Sequence, residues 1–137
     1  MLDTERFLKA QETLYPTALT EMKAGRKRSH WIWFIFPQLT ALGRSDTARY
    51  YGIDCLEDAR AYLSHPTLSK RLCEITEALL AHQKKDPVLL MSTYVDALKL
   101  RSSMTLFHMA DPENPLFQRV LDEYFDKKPD PYTLALL

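Results

Sequence analysis

The apolar positions of this chain recur at the three- and four-residue intervals of an α-helix, and no alternating run persists long enough to predict a strand. A first helix is expected from about Thr4, where Phe7, Leu8, Gln11, Leu14 and Tyr15 fall on one face. The longest runs from Pro66 to about Gln83, with Leu68, Leu72, Ile75, Leu79 and Leu80 as its buried stripe. A helix capped by Asp96 carries Leu98, Leu100, Arg101, Met104, Thr105 and Phe107, and segments from Pro115 to Phe125 and from Pro131 onward complete the set.

Proline marks the starts. Pro16, Pro66, Pro87, Pro115 and Pro131 each precede a helical stretch, where the missing N–H would have had no partner anyway. Asp86, Asn114 and Asp130 stand directly before three of them as N-cap acceptors. On this reading Pro16 opens a short second helix that closes at Gly25. Ser45 is expected to cap a turn through Tyr51, and Asp54 with Glu57 makes a capping-box pattern before Leu56, Ala59, Tyr62 and Leu63. Gly25 and Gly52 fall where left-handed C-caps belong. The sum is an all-α, predominantly helical single domain over residues 1–137, a bundle of about six or seven helices. One segment resists the pattern. Trp31 to Phe36, WIWFIF, has strand-forming side chains but no partner strand, so a short helix or an irregular buried segment ended by Phe36-Pro37 is expected.

Composition narrows the function classes. With 46% apolar and 26% charged residues the chain can bury one core, and 18 cationic side chains against 18 anionic ones argue against a nucleic-acid partner. The opening MLDTERFLKAQ has no apolar signal region and the longest apolar run is too short to span a bilayer, so a cytoplasmic protein without a membrane partner is expected. Cys55 and Cys73 lack ligand spacing and read as buried free thiols. His30, His65, His82 and His108 are scattered, His65 serving as a helix-start residue. With no phosphate loop, H-E-x-x-H or G-x-S-x-G string present, neither a metal nor a cofactor is expected.

Two strings remain as candidate chemistry. In the first, Arg26, Lys27, Arg28, Ser29 and His30 run into Trp31, Trp33, Phe34 and Phe36, followed by Gln38. In the second, Lys99, Arg101, Ser102, Ser103 and Thr105 are interleaved with Leu98, Leu100, Met104 and Phe107. An arginine on a largely apolar helix face must reach solvent or meet a partner, and Asp96, Glu123 or an anionic ligand are the candidates. If the strings converge, Arg26, Lys27, Trp31, Trp33 and Gln38 face Lys99, Arg101, Ser102 and Thr105, with His30 as the group for proton transfer. Aromatic rings beside cations and hydroxyls suit a nucleotide-like or other anionic small molecule, bound or acted on by an enzyme. The competing reading is a protein-interaction module or homodimer whose aromatics and Arg form the interface. The aromatics also serve simply as core.

The strings RFLKAQ at 6–11, AGRKRSHWIWFIFPQL at 24–39, LGRS at 42–45, YYGI at 50–53, EDARAYLSHPTLSKRL at 57–72 and DALKLRSSMTLF at 96–107 resemble a bacterial family, domain-of-unknown-function family 1810. Ile32 stands where the family pattern has methionine, and STYVD at 92–96 lacks its glycine. The resemblance implies no reaction and no catalytic residue. Some members carry a calpastatin-like label, which suits an extended inhibitor that orders on its target; this chain has the apolar content of a preformed core.

Overall fold

Twenty residues, Glu5–Ala24, form one uninterrupted helix, α1, in the computed structural model, which describes residues 1–137. Pro16 lies inside it and does not start a second helix. The Glu12 carbonyl that loses its donor to the proline ring is on an exposed residue, where water can satisfy it. Phe7, Gln11, Tyr15, Ala18, Glu21 and Met22 are buried along one continuous stripe, and that burial holds the helix together across the proline. Gly25 closes it in the left-handed conformation, φ 84°, as its position predicts.

Eight more helices follow: α2 (Ile32–Ile35), α3 (Asp46–Tyr50), α4 (Leu56–Ser64), α5 (Pro66–Leu80), α6 (Pro87–Met91), α7 (Tyr94–Ala110), α8 (Pro115–Tyr124) and α9 (Pro131–Ala135). The protein is all-α. Nine helices stand where six or seven were expected: α2, α3, α6 and α9 are only four or five residues long, too short for periodicity to register, although Ser45, Pro87 and Pro131 mark the starts of three of them. The aromatic string is the short helix α2, and the chain leaving it makes a single parallel bridge between Leu39 and Ile53 rather than a strand.

The caps at Ser45, Asp86, Asn114 and Asp130 each accept the expected backbone bond, and His65 caps α5 by accepting from the Leu68 N–H. Asp54 does not cap α4; it accepts from Thr40 Oγ1 at 2.6 Å instead, and Cys55 takes the cap position. Asp96 does not cap α7 either. Thr93 does, its hydroxyl accepting from the Asp96 N–H, which leaves the Asp96 carboxylate free for another partner. Gly52 has no left-handed turn to make: a Cβ there would stand 2.4 Å from Thr40 Oγ1, so the close approach of two chain segments is what needs a glycine. Cys55 and Cys73 are free, but neither is buried as expected: Cys55 is exposed and Cys73 is half-buried.

Helix α7 is the centre of the molecule, packed by α4, α6, α8 and α9, while α1 lies on α5. Six consecutive residues of α7, Ser102 to Phe107, are buried, so this middle stretch of the helix is covered on all sides. No helix is long and apolar enough to cross a membrane.

Candidate functional site

The first candidate string leaves the end of α1 and is organised by one carboxylate. Glu21 is only 8% exposed, and its Oε1 accepts from the backbone N–H of Arg28 (2.8 Å), that of Ser29 (3.0 Å) and Trp31 Nε1 (2.8 Å). Its Oε2 accepts from Ser29 Oγ at 2.5 Å. Burial pushes such a carboxyl up, but these donors outweigh it and hold Glu21 at about 2. Thus Trp31, fully buried, is tied by its indole N–H to the same anion that folds the 28–31 loop.

Lys27 is the second fixed point. It is 5% exposed, and its Nζ meets Asp96 Oδ2 at 2.9 Å and donates to the Ser29 carbonyl at 2.6 Å. Its backbone is bound from both sides, donating to Leu90 O at 2.8 Å and accepting from Ser92 Oγ. The loop after α1 is therefore clamped to the start of α7. Around this clamp lies an open depression of about 520 Å³ with no hydrophobic lining, formed by 26–30 on one side and Ser92, Thr93 and Asp96 on the other. Arg26, Arg28 and His30 are exposed at it. Lys27 and Asp96 neutralise each other, so Arg26 and Arg28 are the charges a ligand would meet.

The two strings do meet, through Lys27–Asp96 and through Lys99, whose Nζ lies 5.5 Å from the centre of the Trp33 ring. They do not form the single pocket expected of them. Arg101 makes no ion pair with Asp96 or Glu123; its Nε and Nη2 donate to the carbonyls of Lys128 and Pro129, both at 2.9 Å. Ser102 Oγ donates to Asp130 Oδ2 at 2.9 Å, and Thr105 Oγ1 accepts from the Asp130 N–H at 2.9 Å. These three side chains fasten the C-terminal segment to α7, on a different side from the depression. Trp31 offers no free ring face, Trp33 is half-buried, and Gln38 stands apart, its carbonyl bonded to the Ile53 N–H. Of the residues predicted from sequence, Arg26, Lys27 and His30 share the depression.

Glu21 escaped the sequence reading. Its signal was present, three residues after Ala18 on the stripe of Phe7 and Gln11, but a helix broken at Pro16 hides that register. Ser92, Thr93 and the partner role of Asp96 were not legible at all, because only the tertiary clamp brings them to residues 26–30.

The sequence profile of a family described as a protein of unknown function, DUF1810, matches residues 1–137. The chain belongs to the DUF1810 family. A crystal structure of a conserved hypothetical protein from Mycobacterium tuberculosis is similar to this DUF1810 chain, with 44% identity, a TM-score of 0.95, and coverage of 98% of this chain and 96% of that one. A comparison with curated proteins finds no match.

Proposed function

We propose that this protein binds an anionic small molecule, through phosphate or carboxylate oxygens, in the depression beside residues 26–30. The observation that carries the reading is a polar cleft whose floor is an internally neutral Lys27–Asp96 pair and whose rim presents Arg26 and Arg28 without a carboxylate partner. Guanidinium groups match planar anions with two parallel hydrogen bonds, and a loop already fixed by Glu21 loses little freedom on binding. No Trp, Tyr or Phe side chain lines the cleft, so the charged end of a nucleotide-like ligand is what this site recognises, rather than its ring. His30, exposed at the rim, is the group best placed to move a proton if the bound molecule is also a substrate.

The test is thermal unfolding in the presence of inorganic phosphate, pyrophosphate, citrate, ATP and ADP-ribose. At least one is expected to raise the melting temperature with the logarithm of its concentration above Kd, by the equivalent of about 2.7 kcal/mol at a hundredfold excess over Kd. The Arg26→Ala/Arg28→Ala double variant should lose that rise while Arg49→Ala, remote and paired with Asp46, keeps it. A flat response to all five probes would reject the reading.

A further inference from the structure

The outer face of the first turns of α7 is apolar and uncovered. Tyr94, Val95 and Leu98 are 65%, 58% and 40% exposed, and Leu89 in α6 is 60% exposed. Tyr94 and Leu98, with Val88 of α6 and Phe125 just past α8, line a second depression of about 440 Å³. Contiguous apolar surface of this kind is stabilised by being covered.

The charges around it say what covers it. Arg101, Lys128, Glu123 and Asp126 line the same depression, two cations and two anions. None is in an ion pair, for the protein's three are Arg6–Asp3, Lys27–Asp96 and Arg49–Asp46. A patch of one sign repels its own copy. A patch carrying both signs in equal number has no net charge to repel its own copy, and a two-fold axis that sets its cations against its anions makes it self-complementary. The whole chain carries no net charge, so no long-range repulsion opposes a second copy. The rim is also preorganised: Asp126 and Lys127 sit in the left-handed region at φ 57° and 64°, in a turn that Arg101 holds by two backbone carbonyls.

We propose that this face binds a second copy of the chain about a two-fold axis, with Tyr94 and Leu98 at the centre and the four charges around them. Leu98 and Asp96, two residues apart, point to nearly opposite sides of α7, so the dimer leaves the anion site open and stands or falls independently of it.

Sedimentation equilibrium from low micromolar to near-millimolar protein tests this. The mass is expected to rise from 16.0 kDa towards twice that value. Leu98→Glu should stay monomeric with an unchanged far-ultraviolet circular dichroism spectrum. Lys128→Glu and Glu123→Lys tip the patch to net negative and net positive, and each should weaken self-association by roughly tenfold or more. An equimolar mixture of those two variants should reassociate, which a folding defect would not produce. A mass of 16.0 kDa at every concentration, or a dimer that neither Leu98→Glu nor the charge variants disturb, overturns the proposal.

Discussion

Glu21 does the work of a small buried anion site built into the protein itself. Four donors converge on its two oxygens, three of them from a loop that has no other regular structure. Removing the carboxylate in Glu21→Ala would leave the buried Trp31 indole N–H and the three part-buried loop donors without their acceptor, and should cost about 3 kcal/mol in denaturant unfolding. The pH dependence follows from the direction of its shift. Its carboxyl is held at about 2 in the folded protein against an ordinary 4.5, so it stabilises the fold fully above the ordinary value. That contribution is lost as pH falls from 4.5 towards 2, because the unfolded chain takes up the proton first. Unfolding curves across this range should therefore be steeper in pH for the wild type than for Glu21→Gln. Equal slopes would mean that the convergence of donors carries no charge-dependent stability.

Among the elements, the helices whose starts are written in local chemistry were legible. Pro66, Pro87, Pro115 and Pro131 all stand at first-turn positions, and the cap residues before them accept the backbone bonds their side chains suit. Pro16 carries the same local signature and means something else. Whether a proline opens a helix or interrupts one depends on whether the apolar stripe continues in register through it, and Ala18 and Met22 continue the stripe of Phe7 and Gln11. Helix α1 thus keeps a residue that costs about 3 kcal/mol relative to alanine in a helix interior, offset by about 1 kcal/mol of lost freedom in the unfolded chain. Pro16→Ala is accordingly expected to stabilise the protein by about 2 kcal/mol, read as a higher denaturant midpoint with an unchanged slope. Destabilisation would show instead that the proline shapes the path of α1 over α5.

Across the whole molecule, the polar residues of α7 divide between two tasks that the sequence presents as one. Lys99, Arg101, Ser102 and Thr105 follow each other too closely for sequence to separate, yet the helix turns through 100° per residue and sends them to different neighbours. Lys99 goes to Trp33, whereas Arg101, Ser102 and Thr105 go to the C-terminal segment. Which polar side chain of a central helix meets a ligand and which meets its own chain is fixed by what packs on each side, and that is tertiary information. Asp130 is the keystone of the second group. It is 7% exposed, and its Oδ2 accepts from Ser102 Oγ, Thr133 Oγ1 and the Thr133 N–H. Helix α9 is five residues long and cannot persist on its own backbone bonds, so its stability is that of this attachment. Asp130→Ala should release α9 locally while α5 and α7 keep their protection. Hydrogen exchange at the amides of Thr133, Leu134 and Leu136 is expected to speed up by roughly thirtyfold, the equivalent of about 2 kcal/mol. Uniform loss of protection through the core would instead make the C-terminal segment part of the global folding unit rather than a docked extension of it.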